Sequence, residues 1–357
     1  MTEKLRVAVL FGGRSAEHEV SLQSARNIIE ALNPERYTVL PIGISPTGQW
    51  FLSDGSHLGL PAGRVQALPA TTGGELVPTG LAGNALQTLS QVDVVFPVLH
   101  GPYGEDGTVQ GLLRLADLPF VGSGVLGSAV GMDKDVMKRL LREAGLPVGA
   151  FRCCTRAGRP ALNLEAMVGE LGLPLFVKPA NLGSSVGISK VHTLAELAPA
   201  LDLAFAYDHK VLLESAIIGR EIECAVLGND PYQASIPGEI VPQHEFYSYA
   251  AKYLDEKGAR LEIPAQLDPA TAGRIQDLAI QTCRVLDCEG LGRVDFFLTP
   301  EGQIYINEIN TIPGFTRISM YPKLWEASGI SHPDLVDRLI QLALERAGRD
   351  RALRSSC

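Results

Sequence analysis

Residues 174–187 read Pro-Leu-Phe-Val-Lys-Pro-Ala-Asn-Leu-Gly-Ser-Ser-Val-Gly, and this stretch decides the fold of the middle of the chain. The apolar run 175–179 predicts a buried strand with Lys178 near its end, and the glycine-serine turn 183–187 leads into a returning strand at 188–191. Such a lysine and turn can place an ammonium and backbone N–H groups over a polyphosphate. An exposed lysine on an ordinary hairpin is an equally good interpretation of this stretch alone.

The elements that flank this hairpin belong to the same unit, and a separate unit follows it. Helices at 132–144 and 194–206 and a strand at 210–214 flank the hairpin, which indicates an α+β layer rather than a continued parallel sheet. Beyond residue 219 we predict strands at 221–227, 293–298 and 304–309 and helices at 270–286 and 333–347.

The N-terminal part has a different pattern. Strands at 5–11, 37–44 and 92–99 alternate with a helix capped by Ser21 and a short helix at 109–115, which predicts a parallel sheet with helices on its faces. Residues 47–91 are rich in Gly, Pro, Ala and Thr, and we predict little regular structure there.

Composition excludes several classes of protein. The chain has 357 residues, a net charge of −9 and no Lys/Arg block, which argues against binding to nucleic acid or an anionic membrane. The apolar-looking stretch 112–132 carries Arg114 and Asp117, so we expect no transmembrane span. The first apolar run is too short for a secretory signal, and the six scattered cysteines indicate reduced thiols.

Two common motifs occur without the context that they need. Residues 122–127 match G-x-G-x-x-G, but they lack a long preceding strand and an acidic residue at the end of the next one. Residues 183–187 match G-x-S-x-G, but this turn leads into a strand rather than the helix of a nucleophile elbow. We therefore predict neither a dinucleotide-binding site nor a serine hydrolase.

Acidic residues in two apolar strands predict a metal site. Glu308 and Asn310 are two residues apart and share one strand face, and Asp295 lies on the face of its own strand opposite to its apolar neighbours, so two adjacent strands would present three oxygen ligands together. Hard oxygen ligands suit Mg²⁺, and buried acids are costly unless they are paired or metal-bound. A hydrogen-bonded cluster is the alternative. Arg293 could stabilise charge in a transition state, or simply form a salt bridge with Glu308.

Taken together, these stretches resemble the ATP-grasp superfamily, and within it the D-alanine–D-alanine ligase family. The resemblance covers nearly the whole chain and rests on six stretches in order: 12–21, 100–107, 132–134, 178–187, 292–295 and 307–314. It implies an α/β (α+β) fold, with a Rossmann-like parallel-sheet domain followed by a two-lobed ATP-grasp fold. We place an N-terminal substrate domain at 1–122, a central lobe at 123–216 and a C-terminal lobe with the metal site and lid at 217–357.

The resemblance also implies a role for each matching residue. The nucleotide would be held by Lys134, Lys178, Ser184, Ser185, Glu214, Ser215, Ala216, Ile217, Glu221 and, from a mobile loop, Lys252. Two Mg²⁺ ions, or Mn²⁺, would be bound by Asp295, Glu308 and Asn310. The substrates would contact Glu17, His100, Tyr253, Arg293, Gly314, Ser319 and Met320. Glu17, Ser184 and Tyr253 would be linked by hydrogen bonds, and Arg293 and Gly314 would stabilise the tetrahedral intermediate. Many relatives carry Lys where this chain has Ser215, which puts nucleotide affinity in doubt rather than the reaction class.

The implied activity is ATP-dependent joining of two D-alanines through an acyl phosphate, for peptidoglycan synthesis in the cytoplasm, by a homodimer whose partners are small molecules. Such an intermediate needs protection from water, and the loop around 247–253 is the candidate lid. Two alternatives remain: a ligase with another acceptor, such as D-lactate, and a nucleotide sensor that has lost catalysis. The sensor predicts gaps among the metal ligands or at Arg293, and the sequence shows none.

Overall fold

The computed structural model describes residues 3–60, 88–242 and 259–353. Three sheets organise this part of the chain, one in each of the three units that the sequence predicts. None of the helices in these ranges is long and apolar enough to cross a membrane.

The first sheet is mainly parallel. Its strands are β1 (Leu5–Gly12), β2 (Tyr37–Ile44), β3 (Trp50–Leu52) and β4 (Val94–Val98), in the order β3-β2-β1-β4. Strand β1 pairs in parallel with β2 and β4, as predicted; helix α1 (His18–Ala31) connects β1 to β2, and helix α2 (Thr108–Leu115) follows β4. Strand β3 adds an antiparallel edge within a region predicted to lack regular structure. Residues 61–87 of that region lie outside the described residues.

Helix α1 begins earlier than predicted. Its N-cap residue is Glu17, so Ser21 lies inside the helix and the predicted cap is wrong. The Ser21 hydroxyl accepts a hydrogen bond from the Gly12 backbone N–H at 2.7 Å and donates one to the Val98 carbonyl. The serine therefore ties the helix to the ends of two strands, a long-range role that a local cap pattern resembles.

The second sheet is antiparallel. It contains β5 (Phe151–Thr155), β6 (Leu175–Pro179), β7 (Ser189–Val191) and β8 (Lys210–Ser215), in the order β5-β8-β6-β7. Four helices accompany it: α3 (Val125–Met132), α4 (Lys134–Glu143), α5 (Leu164–Leu171) and α6 (Leu194–Tyr207). The helix predicted from residue 132 begins instead at Lys134, because the Asp133 side chain accepts a hydrogen bond from the Val136 N–H and caps α4. The sequence analysis did not predict β5 or α5.

The third sheet is also antiparallel and carries the acidic residues. Its strands are β9 (Arg220–Gly228), β10 (Gln233–Ala234), β11 (Gly238–Pro242), β12 (Ala259–Glu262), β13 (Gly290–Leu298) and β14 (Ile304–Asn310). The order is β12-β11-β9-β13-β14, with β10 pairing on β9. Helix α7 (Pro269–Val285) packs on β9 and β13, and helices α8 (Met320–Ala327) and α9 (His332–Arg351) end the described chain.

One hydrophobic core connects the first and last parts of the chain. Residues of β1 and α1, such as Val9 and Ile28, belong to the same buried cluster as Leu335, Leu339 and Ile340 of α9. Helix α9 is also tied to the polypeptide between the first two units by Arg346. The predicted domain boundaries at 122–123 and 216–217 stay a prediction.

Candidate active site

A cavity of about 140 Å³ lies where the three units meet. The first unit contributes Glu17 and His100, the hairpin of the second sheet contributes Gly183 and Ser184, and the third sheet contributes Arg293, Glu308 and Asn310. The chain after β14 closes one wall with Gly314, Ser319 and Met320. Nine of the predicted site residues, far apart in sequence, therefore line one cavity.

Lys134, in the first turn of α4, contacts a residue of the cavity wall, Glu308. Its Nζ donates to the Leu182 carbonyl at 2.8 Å and lies 3.1 Å from Oε2 of Glu308, so it links the hairpin turn to the acidic strand. Burial opposes the charged form, but Glu308 outweighs it and raises the pKa of Lys134. A permanently charged ammonium at this point suits the binding of a phosphate.

A second group of buried charges lies on β6, β8 and α4. Nζ of Lys178 is 2.5 Å from Oε2 of Glu214, and Nζ of Lys138 is 3.0 Å from Oε1 of the same carboxylate. All three residues are buried. Although burial alone would raise it, the two ammonium groups lower the pKa of Glu214 to about 2. Sequence analysis missed Lys138, although its position one helical turn after Lys134 was a usable signal.

The turn after β6 has an unusual backbone. Ser184 and Ser185 have φ angles of +53° and +60°, in the left-handed region that residues other than glycine rarely adopt. Gly187 follows with a φ of +71° and with Pro179 and Tyr207 packed against it. Such local strain is typical of segments that present backbone N–H groups to a ligand, which fits the predicted phosphate-binding turn.

Strands β13 and β14 bring the three predicted metal ligands together. Asp295 is directly opposite Glu308, and Asn310 is opposite Arg293, so all four share one face. The strands pair in antiparallel register with Asp295 opposite Glu308, so the three side chains lie together on two adjacent strands, as predicted. The Asn310 amide donates to Oδ2 of Asp295 at 3.0 Å.

The chemistry of this donor set fits Mg²⁺, since carboxylate and amide oxygens are the ligands that it prefers. Side chains of Asp295 and Glu308 are 15% and 23% exposed, so an ion with its waters and phosphate ligands could reach them. Within the described ranges, no group of three or more His, Cys, Asp or Glu residues is arranged to hold a metal ion by itself. Asp295, Glu308 and Asn310 would therefore need oxygen ligands from a bound phosphate or water to complete a shell.

Arg293 is held by two acids. Its guanidinium makes two hydrogen bonds of 2.7 Å to the Asp295 carboxylate, and its Nε lies 2.9 Å from Oε2 of Glu223. Burial works against the charge, but these carboxylates raise the pKa of Arg293 well above its ordinary value. The salt bridge considered between Arg293 and Glu308 is replaced by these two pairs, since Glu308 is the partner of Lys134.

The first unit contributes a buried histidine and two carboxylates. Burial lowers the pKa of His100, whose Nδ1 is 3.0 Å from the Ile312 carbonyl, so the neutral ring donates there and leaves Nε2 as an acceptor. Glu105, which sequence analysis missed, accepts hydrogen bonds from the backbone N–H groups of Gly101 at 2.6 Å and Ile312 at 3.3 Å. Burial and the nearby Glu17 raise the pKa of Glu105 to about 8.

The wall after β14 is shaped by Ser319, the N-cap residue of α8. Its hydroxyl accepts a hydrogen bond from the Thr316 N–H at 2.9 Å. A Cβ added to Gly314 would lie 2.8 Å from that hydroxyl, so glycine keeps this backbone close to the serine. Met320 is buried beside them and lines the same cavity.

Glu214 and the three residues after it, which are predicted to bind the nucleotide, lie at the end of β8. The Ser215 hydroxyl donates to the Leu171 carbonyl at 2.7 Å and the Ala216 N–H donates to the Pro174 carbonyl at 3.1 Å, so both groups are already bonded within the protein. Glu221 lies apart from them and lines a smaller cavity of about 50 Å³ with Asp295 and Glu308. The predictions for Lys252, Tyr253 and the lid at 247–253 lie outside the described residues.

The hairpin beside the buried lysines of β6 and α4 and the sheet that bears the paired acids meet at one cavity, and this arrangement defines the ATP-grasp class of ligases. Models of the D-ala D-ala ligase N-terminus and C-terminus match residues 6–123 and 140–341. The chain belongs to the D-alanine–D-alanine ligase family.

The sequence of this chain is similar to those of known proteins along nearly their whole length. The D-alanine–D-alanine ligase of Shouchella clausii is 57% identical over 361 residues, covering 99% of this chain and 98% of that protein. D-alanine–D-alanine ligase A of Escherichia coli K12 is 54% identical, covering 99% and 100%. The predicted enzyme class is confirmed.

Solved structures share this fold at lower sequence identity. The D-alanine–D-alanine ligase from Coxiella burnetii superposes with a TM-score of 0.82 at 39% identity, covering 98% of this chain and 97% of that one. The VanG D-Ala:D-Ser ligase from Enterococcus faecalis gives a TM-score of 0.83 at 37% identity, covering 96% and 100%. The predicted fold class, a parallel-sheet unit followed by two ATP-grasp lobes, is confirmed.

Proposed function

We propose that this enzyme joins two molecules of D-alanine at the described cavity, with ATP as the energy source, and so supplies the dipeptide for peptidoglycan synthesis. The observation that carries this proposal is the convergence of Glu17, Ser184, Arg293, Glu308 and Gly314 on one cavity. Each comes from a different segment of the chain, and family membership fixes the reaction class.

In the first step, a carboxylate oxygen of one D-alanine attacks the γ-phosphorus of ATP, forming an acyl phosphate as ADP leaves. Lys134 and Lys178 would hold the phosphates, and the turn 183–187 would offer backbone N–H groups; the contact of Lys134 with the Leu182 carbonyl and the positive φ angles of Ser184 and Ser185 support this assignment. Asp295, Glu308 and Asn310 would hold Mg²⁺, which offsets negative charge on the phosphates when it is bound. Positively charged groups that are already in position stabilise the transition state without reorganisation.

The first D-alanine also needs its ammonium bound. Glu17 provides a carboxylate at the cavity wall, and His100 lies beside it with a free acceptor at Nε2. A negative carboxylate and a neutral imidazole together suit an ammonium better than a charged histidine would. This places the substrate's carboxylate toward the third sheet.

In the second step, the amine of the second D-alanine attacks the acyl carbon, and a tetrahedral intermediate forms before phosphate leaves. Arg293 and the backbone of Gly314 face this part of the cavity, where they stabilise the developing oxyanion. The Ser319 hydroxyl binds the carboxylate of the second substrate beside Met320. The carboxylate pairs of Arg293 keep its guanidinium fixed before substrates arrive.

The identity of the second substrate is the finer part of the proposal. D-Alanine is preferred at neutral pH, in keeping with the Lys252-Tyr253 sequence typical of dipeptide-forming members. D-Serine is the second candidate, because a ligase named for D-Ala and D-Ser superposes on this chain with a TM-score of 0.83. D-Lactate would instead yield an ester.

Competition between acceptors tests this proposal. We would measure ADP release with Mg-ATP and D-alanine, with L-alanine as the control, and identify products by mass when D-serine or D-lactate is also present. Alanyl-alanine as the main product is the expected result. A dominant ester or mixed dipeptide would show that D-lactate or D-serine, rather than D-alanine, is the preferred acceptor. ATP binding without turnover would favour a nucleotide sensor.

We also propose that the enzyme works in the cytoplasm as a homodimer, as its family resemblance implies. Light scattering across a range of protein concentrations would give the mass of the assembly, and a monomer at micromolar concentration would contradict this part.

A further inference from the structure

The buried group of Lys138, Glu214 and Lys178 contains two ammonium groups and a single carboxylate. Lys178 and Glu214 lie on neighbouring strands of the second sheet, and Lys138 reaches the same carboxylate from helix α4. The exposed fractions of the three residues are 3% for Lys138, 6% for Glu214 and 9% for Lys178. Water therefore does little to balance the surplus positive charge.

The two lysines are not equivalent. Lys178 ends next to the turn that carries Ser184 and Ser185, where the phosphates of ATP are proposed to bind. Lys138 lies one helical turn after Lys134 on α4, on the far side of the Glu214 carboxylate. Burial lowers the pKa of Lys138, and the charge of Lys178 lowers it further, whereas Glu214 opposes both.

Binding of a polyphosphate changes this balance. A phosphate oxygen would compete with Glu214 for the charge and the three N–H donors of Lys178, whose contact with that carboxylate is 2.5 Å long. A buried carboxylate that loses its counterion is strongly unfavourable, unless a second cation remains beside it. Lys138 is that second cation, because its own contact with Oε1 of Glu214 does not depend on Lys178.

We propose that Lys138 is a positioning residue for ATP: it remains the counterion of Glu214 and so frees Lys178 to bind the phosphates. This inference rests on the proposed function of the cavity but adds a residue with no assigned role there. Without Lys138, Glu214 would hold Lys178 as its main counterion, and ATP would have to compete with that carboxylate.

The test replaces Lys138 by methionine, which keeps the length of the side chain and removes its charge. We expect the KM for ATP of Lys138→Met to rise about tenfold, on the scale of coupling within one ion-pair network. The KM for D-alanine at saturating ATP should change less than twofold. Arg139→Met is the matched control, because Arg139 is the next residue of α4 and is exposed.

The conservative variant Lys138→Arg separates this role from a merely structural one. A guanidinium at 138 keeps a cation beside Glu214, so the KM for ATP should stay within about threefold of wild type. If Lys138→Met does not fold, Lys138→Gln takes its place, because glutamine keeps a hydrogen-bond donor for Glu214 without the charge and should show the same rise in KM. An ATP KM within twofold of wild type for the uncharged variant, or an equal rise in Lys138→Arg, would overturn the proposal.

Calorimetry with a non-hydrolysable ATP analogue provides a readout that is independent of the reaction. The dissociation constants should follow the same order: wild type and Arg139→Met lowest, Lys138→Arg close to them, and Lys138→Met highest. Wild-type enzyme that binds the analogue but makes no dipeptide would refute the proposed function and leave this inference intact. Equal affinities in all four proteins would refute the inference alone.

Discussion

At the scale of single residues, Glu105 joins two loops of the active site. Its carboxyl group accepts hydrogen bonds from the backbone N–H groups of Gly101 and Ile312. Gly101 follows His100 in the chain, and the Ile312 carbonyl accepts a hydrogen bond from the His100 ring. Both loops carry cavity-lining residues, so this carboxyl fixes the first substrate's binding residues relative to the chain after β14.

Replacing Glu105 by glutamine should change how stability depends on pH. The folded state raises the pKa of this group from an ordinary 4.5 to about 8, so it holds a proton that the unfolded chain has released. The contribution of this proton to the free energy of unfolding is full below about pH 4.5 and is lost as pH rises through 8. The free energy of unfolding falls with a slope of at most about 1.4 kcal/mol per pH unit. Chemical denaturation between pH 5 and 8 should therefore show a shallower decline in Glu105→Gln. The exposed Glu345→Gln serves as the control, and identical slopes in both variants would contradict the assignment.

Arg293 should not tolerate lysine. The guanidinium makes two parallel bonds to Asp295 and a third contact to Glu223, a geometry that one ammonium cannot reproduce. We expect Arg293→Lys to lower kcat/KM by about a hundredfold or more, as for loss of an oxyanion-stabilising donor. Steady-state kinetics would measure this loss. Arg349→Lys, which alters a similar two-bond pair with Glu289 away from the cavity, should change kcat/KM less than twofold.

At the scale of elements, the turn after β6 depends on Gly187. A Cβ there would lie 2.7 Å from the Tyr207 ring, in addition to the unfavourable φ of +71°. Gly187→Ala should destabilise the protein by about 2 kcal/mol or more and raise the KM for ATP, because the turn must move. Gly145→Ala is the matched control: its φ is +75°, but nothing lies near its Cβ. Denaturant melts and ATP kinetics would measure both variants. Equal effects in Gly187→Ala and Gly145→Ala would mean that the positive φ alone, and not the contact with Tyr207, is responsible.

The elements that sequence patterns predicted well are those whose signal is local. Strands β2 and β6 match their predicted limits, since an apolar run bounded by turn residues is sufficient to define them. The start of α1 was wrong because Ser21 is satisfied by two strands rather than by its own helix. The edge strand β3 was missed because its three half-buried residues gain regular structure only by pairing with β2.

The same distinction applies to the site. Spacing within β14 placed Glu308 and Asn310 on one face, but the register with β13, which places Asp295 opposite Glu308, is a tertiary property. Glu105 and Lys138 were missed for a similar reason. Each is an ordinary charged residue of a loop or helix until folding buries it beside partners that are distant in sequence.

At the scale of the whole molecule, Arg346 joins the last helix to the segment between the first two units. Its guanidinium donates to the carbonyls of Phe120 and Gly122 and lies 4.6 Å from the centre of the Phe120 ring. Burial lowers the pKa of this arginine, so its contacts offset a real desolvation cost. The arginine therefore acts as a connection between units rather than as a surface charge.

Arg346→Met should lower the free energy of unfolding by about 3 kcal/mol, because two buried carbonyls lose their donors. Turnover of the remaining folded enzyme at 25 °C should be nearly unchanged, since Phe120 and Gly122, whose carbonyls Arg346 binds, do not line the active-site cavity. Thermal melts and initial rates would measure the two effects. Arg338→Met, an exposed position on the same helix, should shift the melting temperature by no more than about 1–2 °C.

The shared core of β1, α1 and α9 has a consequence for how the chain is made. Val9 and Ile28 leave the ribosome early, whereas Leu335 and Leu339, which cover them, emerge some three hundred residues later. At a synthesis rate of about 5–20 residues per second, one apolar face of the first sheet stays exposed for on the order of ten seconds or more before helix α9 can pack on it. Nascent chains of this enzyme therefore expose an aggregation-prone apolar surface through most of translation. The supply of chaperones should limit the yield of correctly folded protein, whereas it should have little effect on the stability of the folded molecule.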